Sequence, residues 1–428
     1  MNITHPQSYE FGLKRAFIMI IVAGIMITVT RKSGNEQVDV PRFPHNTEKQ
    51  TIRGMAVFYS PDDISANISL DELGYPDQYL FRLHKDHPQL KITMQTVPAN
   101  RYIIEEARRN IMKITEGDST NICCRTLWKM IMYDELLNSW MELGNHGYTH
   151  SPSGDSNLDH HEFSETQTGC NFNHSFASTF SYCDQRLKLA RNSYKEIGLD
   201  NNKIIVMRFP GFAYTDAALK ALLDNGFVAY FGIGECKAEW AQLSDGREIL
   251  NIPSVILYDF YSGKDDNSYF QQCLENGGII NLFDHWWDMF DDAPRDTIDT
   301  NYRIASDVLT YIEQNFRDEV WWPFGSELAL WLYFKENVDI TLQRRGYNLE
   351  LIADVTTWNV NWEEINASYT ITLPANWEVI KIKYTLTDKR WIELGNSMYW
   401  KNDQTLYVNV PFRGHSRVML TMSAIANP

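Results

Sequence analysis

The chain of 428 residues carries 39 Lys and Arg against 55 Asp and Glu, a formal charge of −16, and it is 44 % hydrophobic and 13 % aromatic. That length and apolar content exclude a disordered chain and allow one large or two packed domains. The acidic balance excludes nucleic acid and anionic lipid as main partners, since both reward clustered cations, and fits a neutral or cationic substrate better.

The first element is apolar. Lys14 and Arg15 precede AFIMIIVAGIMITVT (16–30), and Arg31 and Lys32 follow. As a helix this run reaches about 22 Å, short of a roughly 30 Å hydrocarbon layer and suited to a signal h-region. No small-x-small cleavage site follows, so an uncleaved membrane anchor through 16–30 is the second reading. Residues 1–32 are assigned to targeting, which places the rest of the chain outside the cell or at its surface. Export permits disulfides among Cys123, Cys124, Cys170, Cys183, Cys236 and Cys273, and Cys170–Cys183 is the expected bridge because it closes a polar loop. None of the six forms a C-x-x-C pair. Asn67, Asn173 and Asn366 head N-x-S/T sequons.

Residues 33–52, polar with Pro41 and Pro44, read as a linker. From 53 to 337 short β-rich runs alternate with helical stretches. The runs are MAVFYS (55–60), KITMQTV (91–97), KIIVMRF (203–209), FVAYFGI (227–233), IPSVILY (252–258), GIINLF (278–283) and EVWWPF (319–324). Three- and four-residue apolar spacing predicts helices over 127–143, 184–198, 215–226 and 301–316, with Thr215 as an N-cap and Gly226 as a C-terminal stop. Such alternation predicts a parallel sheet closed, or partly closed, into a β/α barrel. From 338 to 428 the pattern becomes short alternating strands between turn residues, which predicts a small antiparallel β-sandwich.

Chemistry in a β/α barrel sits at the C-terminal ends of the strands, and ionisable residues collect there. Asp62 and Asp63 follow the run 55–60, His146 and His150 follow a helix expected to end at Gly144, Arg208 closes 203–209, and Asp284 and His285 follow 278–283. Extended, His146 and His150 would stand about 13 Å apart, too far to share one ion; a turn at Gly147 brings them within about 6 Å. Two neutral imidazoles and one carboxylate, with a position left open, make the donor set of a catalytic metal site. Two histidines alone read equally as packing residues, and an Asp-Asp pair alone as a turn. Together they allow one carboxylate to bind metal while its neighbour takes a proton from water.

SPDDIS, HGYTH, RFPGF and LFDH occur in the order and spacing of the polysaccharide deacetylase superfamily, also known as the NodB homology domain or carbohydrate esterase family four. The resemblance covers roughly 50–335 and implies a distorted β/α barrel. It implies that Asp63, His146 and His150 hold a divalent metal, usually Zn2+, that Asp62 is the general base, that Arg208 orients Asp62, and that His285 is the general acid. The implied reaction removes N-acetyl groups from an extracellular or cell-surface polysaccharide. Rivals are an esterase or amidase acting on another acyl substrate, and a catalytically inactive glycan-binding protein. Two departures stand out: Gly147 replaces a usual Ser or Thr, and Ile64-Ser65 follow the Asp pair where a glycine is usual. Asp259 and Asp288 are the candidates for an acid pairing with His285. Trp286 and Trp287 offer a face for a sugar ring, His160 and His161 a cover for the site, and Trp358, Trp362, Trp377, Trp391 and Trp400 give the β-rich tail large residues for packing.

Overall fold

A computed structural model describes residues 25–29, 33–34, 37–38, 55–65, 76–98, 128–129, 131–150, 161–164, 175–234, 236–256, 266–275, 278–285, 295–316, 319–345, 347–355, 365–373, 377–386, 390–395, 399–402, 405–412 and 415–424. Cys123, Cys124, Cys170, Asn67, Asn173, His160, Asp259, Trp286, Trp287, Asp288, Trp358 and Trp362 lie outside these residues.

Seven strands form the barrel: β1 (Met55–Tyr59), β2 (Ile92–Val97), β3 (Met141–Asn145), β4 (Val206–Arg208), β5 (Ala229–Ile233), β6 (Glu248–Ile256) and β7 (Ile279–Phe283). Each pairs in parallel with its sequence neighbour, and β7 pairs with β1 to close the ring. Two seams are narrow. β1 meets β2 through Tyr59↔Ile92, and β3 meets β4 through Asn145↔Met207, one pair each. The barrel is therefore distorted.

Helices α1 (Pro76–Asp86), α2 (Phe180–Glu196), α3 (Asp216–Asp224), α4 (Asp266–Glu275) and α5 (Arg295–Phe316) follow β1, β3, β4, β6 and β7. Alternation along the strands sorts their side chains. Met55, Val57 and Tyr59 share a buried cluster with Leu187 and Leu219 of the surrounding helices, whereas Ala56 and Phe58 share another with Phe231 and Ile252. Thr215 caps α3, its hydroxyl accepting from Ala218 N, and Gly226 at φ +77° ends it, both as the sequence predicts.

Two sequence expectations fail here. The helix expected over 127–143 gives way to a short 3-10 turn at Leu137–Ser139 and then to β3, so Gly144 is a strand residue and not a helix stop. A Cβ at Gly144 would meet at 2.2 Å the side chain of Gln95, its register partner on the adjacent β2, so its glycine serves a close approach between neighbouring strands. The run 319–324 contributes a two-residue strand, Val320–Trp321, that pairs with β1 outside the ring. The expected Cys170–Cys183 bridge is also corrected. Cys183 faces the core on α2 as a free thiol donating to the Ala177 carbonyl at 3.3 Å, and Cys236 bonds instead to Cys273 on α4.

The C-terminal residues form two sheets facing one another. One orders Val338–Arg345, Asn348–Val355, His415–Ala424, Trp377–Thr385 and Ile392–Glu393, all antiparallel. The other joins Ile365–Thr372, Thr405–Phe412 and Tyr399–Asn402. Leu351, Val418 and Leu420 of the first interlock with Tyr369, Ile371 and Val408 of the second, and Tyr369 Oη lies 2.9 Å from Ser416 Oγ between the sheets. Ile25–Val29, the second half of the apolar N-terminal run, pairs in parallel with Ile365–Thr372. Among the described residues no helix is long and apolar enough to cross a membrane.

Helix α6 (Gly325–Asn337) joins the two parts, and its first turn enters the N-terminal end of the barrel. The amides that a helix start leaves unpaired find side-chain acceptors there. Phe324 N donates to Glu327 Oε2 at 2.9 Å, Gly325 N to Thr93 Oγ1 at 2.9 Å, and Ser326 N to Glu142 Oε1 at 2.9 Å. Thr93 Oγ1 in turn donates to Glu142 Oε1 at 2.7 Å. A Cβ at Gly325 would meet Phe231 at 2.5 Å, so only glycine lets the turn seat this deeply.

Burial pushes the Glu142 carboxyl up to about 7, against the hydrogen bonds from Ser326 and Thr93. Its folded pKa thus lies above the ordinary 4.5. The folded protein retains a proton that the unfolded chain releases between those values, so the stability this group contributes is full at lower pH and is lost as pH rises through about 7. Glu142→Gln keeps a neutral donor and acceptor in place. Urea unfolding at pH 8 should show the variant more stable than the parent by about 2 kcal/mol, with the difference shrinking towards pH 5. An unchanged difference across that range would refute the buried proton.

Candidate metal centre

β1 ends at Tyr59, and the next residues keep its alternation: Ser60 and Asp62 turn inward. Asp63 should then turn outward. It does not, because its backbone adopts φ +61°, a left-handed conformation that is costly for a residue with a Cβ. The reversal brings both carboxylates to the same mouth. Asp63 Oδ1 stands 3.3 Å from His146 Nε2 and 2.8 Å from His150 Nε2, and Asp62 Oδ2 stands 3.9 Å from His146 Nε2. All four side chains are at most 4 % exposed.

The two histidines meet because 146–150 is a tight turn, as the sequence predicts. Gly147 takes φ +87° and His150 φ +67°, and the imidazole centroids lie 5.0 Å apart. What holds the turn is a residue the sequence reading missed. Glu162, fully buried, accepts from three successive backbone amides: Tyr148 N at 2.9 Å, Thr149 N at 3.2 Å and His150 N at 3.0 Å. Its charge is paired with Arg186 Nε at 3.0 Å. Burial raises its pKa, and Arg186 with the amides opposes that rise. A Cβ on Gly147 would fall 2.3 Å from Glu162 Oε2, so glycine at this position and the glutamate fifteen residues on are one device. The only sequence signal was an acid inside an otherwise polar loop, which does not distinguish Glu162 from its neighbours.

The ring of His146 is set by the narrow β3–β4 seam. Its Nδ1 donates to the Arg208 carbonyl at 2.8 Å, which fixes the tautomer and leaves the Nε2 lone pair facing the carboxylates. Arg208 itself is fully buried in the barrel centre. It donates to Ser60 O and Ser60 Oγ, each at 2.6 Å, and to Ser254 Oγ at 3.1 Å, while Nη1 stands 3.5 Å from Asp62 Oδ2. Asn281 Nδ2 donates to Ser254 Oγ at 3.0 Å and Asn281 Oδ1 accepts from Ser60 Oγ, completing a polar layer under the mouth. Burial among Phe212, Phe231 and Phe283 brings the guanidinium down to about 10, with Asp62 opposing, so it stays charged at neutral pH. His285 arrives from the end of β7. It bridges Asp62 in parallel fashion, with Asp62 N donating to the Asp284 carbonyl at 3.1 Å. The structure thus brings all six sequence-selected residues to one end of the barrel.

These residues suit a divalent cation. One oxygen of Asp63 and a ring nitrogen from each of His146 and His150 lie within 4.8 Å of one another. Asp63 Oδ2 and Asp62 Oδ1 are buried without a hydrogen-bond partner, a costly arrangement that a cation would relieve. Burial alone would raise the Asp63 carboxyl, yet the facing His150 and His146 outweigh it and hold it well below the usual range. Burial disfavours the charged form of His150, and Asp63 more than reverses this, lifting its pKa. Without a cation, a proton on His150 serves as the counter-charge.

No family model and no curated protein matches the chain. Among solved structures it is similar to a protein from Mycobacterium smegmatis assigned as a polysaccharide deacetylase, at 14 % identity and TM-score 0.41 over 70 % of this chain and 97 % of that one. It is also similar to a family 4 carbohydrate esterase from Streptomyces lividans, solved with acetate, at 14 % identity and TM-score 0.31 over 64 % and 94 %. A GH30 endoxylanase from Clostridium papyrosolvens follows at 10 % identity and TM-score 0.28 over 89 % and 98 %. What the site can do is read from its own residues.

Two outcomes are expected. Glu162→Gln should weaken Zn2+ binding about 10- to 100-fold in competition with a chromogenic chelator while the fold persists by circular dichroism; full retention of affinity would show that the turn holds itself. Because a cation must displace the proton from His150, Zn2+ affinity of the parent should fall as pH drops through the raised His150 pKa. A flat profile between pH 8 and 5 would contradict the assignment of His150 as a ligand.

Proposed function

We propose that the protein is a divalent-metal-dependent hydrolase that removes N-acetyl groups from a polysaccharide outside the cell or at its surface, with Zn2+ on Asp63, His146 and His150. The observation that carries this reading is the convergence of those three buried side chains beside a second carboxylate, Asp62, whose Oδ1 is buried without a hydrogen-bond partner. The motif resemblance supplies the substrate class. The Cys236–Cys273 bridge supports an exported chain.

A cation in this position supplies Lewis acidity, polarising the acyl carbonyl and making water easier to deprotonate. The chain's own groups divide the remaining work. Asp62 Oδ2 is anchored towards Arg208, which leaves Oδ1 buried, unpartnered and able to take the proton from the attacking water. Arg208 is braced by Ser60 and Ser254, so it holds Asp62 in orientation without leaving its layer. His285, joined to Asp62 by the β-bridge, stands at the partly open side of the mouth and is placed to deliver a proton to the departing nitrogen. Ile233, 63 % exposed at the end of β5, and half-buried Phe212 and Tyr214 give the rim an apolar surface for the acyl methyl and a sugar face.

The test is acetate release from N-acetylated glycans, with O-acetylated xylan as the comparison substrate. Chelation should abolish release and Zn2+ restore it. Asp62→Asn should lower kcat at least 100-fold with one equivalent of Zn2+ still bound, whereas His150→Ala should lose the metal. The reverse pattern would exchange the two roles, and stoichiometric Zn2+ with no acetate from any acetylated sugar would favour a glycan-binding protein.

A further inference from the structure

We infer that the same mouth takes a second, weaker divalent cation on Asp62, Asp63 and His285, and that filling it arrests the reaction. The binding site stands on the geometry alone; the arrest rests on the reading of Asp62 and His285 as proton-transfer groups given above.

Two carboxylate oxygens are left over once the tight site has been served. Asp63 Oδ1 faces both His146 and His150, which leaves Asp63 Oδ2 buried and unpartnered. Asp62 Oδ2 faces Arg208, which leaves Asp62 Oδ1 in the same condition. Asp62 and Asp63 are 2 % and 1 % exposed, so water does not relieve either oxygen. One atom from each of Asp62, Asp63 and His285 lies within 4.8 Å of the others, and a modest inward turn of these side chains would bring them to the roughly 3.3 to 3.6 Å that separates tetrahedral ligands of an ion bound at about 2.0 to 2.2 Å. Asp63 belongs to this group and to the group with His146 and His150, and a shared carboxylate is how two cations come to sit about 3.5 to 4 Å apart in two-metal sites.

The two positions differ in strength for identifiable reasons. The first has two imidazoles, one locked by the Arg208 carbonyl and the other by the turn on Glu162. The second has one imidazole, on a partly exposed residue, and a carboxylate already facing the Arg208 guanidinium at 3.5 Å. A cation added there meets that positive charge, so the sites fill in order. An imidazole with carboxylates suits Zn2+ better than Mg2+ or Ca2+. Once the second site is filled, the lone pairs of Asp62 and His285 are engaged in ligation. Asp62 then cannot accept the proton of the attacking water, and His285 cannot carry one to the leaving nitrogen.

The experiment titrates Zn2+ into the chelated full-length chain by calorimetry, with Co2+ absorption as a second readout. The parent should bind two equivalents, the second at least tenfold weaker. His285→Ala and the bulkier His285→Gln should each bind one, Asp62→Asn should weaken the second at least tenfold and keep the first, and His150→Ala should lose the tight site. In the parent, acetate release should peak at one equivalent and fall as the second binds. A single equivalent in the parent at saturating Zn2+, a second equivalent that survives both His285 substitutions, or undiminished acetate release at two equivalents would overturn the inference. Failure of His150→Ala to remove any site would instead sink the metal assignment on which the proposed function stands.

Discussion

Charge neutrality inside the barrel mouth governs everything else in the molecule. Two adjacent aspartates are withdrawn almost wholly from water, and among the described residues the Arg208 guanidinium lies close enough to answer one of them. The remaining negative charge needs a proton or a cation, since an isolated buried carboxylate is too costly to keep. Asp63 lifts the pKa of the facing His150 and so favours a proton there, a charge that a cation would replace. The left-handed backbone at Asp63, the turn at 147–150 and the buried Arg208 are each expensive in isolation. They are tolerable together because each helps to offset that one charge.

The distortion of the barrel serves the same end. A ring with full pairing at every seam would hold its strand ends at even spacing and leave little room for a turn to fold inward. Here the β3–β4 seam carries a single strand pair, and the His146 side chain bonds the Arg208 carbonyl across it, doing part of the work of a backbone ladder. The β1–β2 seam is similarly thin, with Gln95 N donating to the Pro61 carbonyl at 2.8 Å just above it. At the β3–β4 seam a histidine of the site therefore replaces missing sheet contacts, which ties the shape of the mouth there to the orientation of that ring.

Much of this was legible from the residues. Six of the seven barrel strands were readable because fully buried strands are continuous β-branched and aromatic runs, and the helices on α2, α3 and α5 were readable from their periodicity. β3 was not, because MELGN follows a stretch whose Leu, Met and Trp spacing imitates a helix, and Gly144 looked like its end. The placement of Gly144 depends on Gln95, its partner on the adjacent strand and 49 residues away in the chain, which no local pattern encodes. The six site residues were legible because they fall at strand ends and at motif spacing. Glu162 was not, because its role lies in where the chain returns. The disulfide misled for a related reason: a short polar loop favours closure by proximity, yet Cys183 faces inward on α2 and cannot reach out of the core.

Helix α6 gives the small domain a weight beyond its size. Its opening turn stoppers the closed end of the barrel, Leu328 and Ala329 fill the space above, Trp331 packs against the inner clusters of both parts, and Phe334 belongs to the sandwich. A cork is removed only with its handle. Excising the sandwich would strip the outer half of α6 of its packing and loosen the turn that Thr93 and Glu142 grip. Barrel and tail are accordingly one mechanical piece, and a barrel freed of its sandwich would need a different floor.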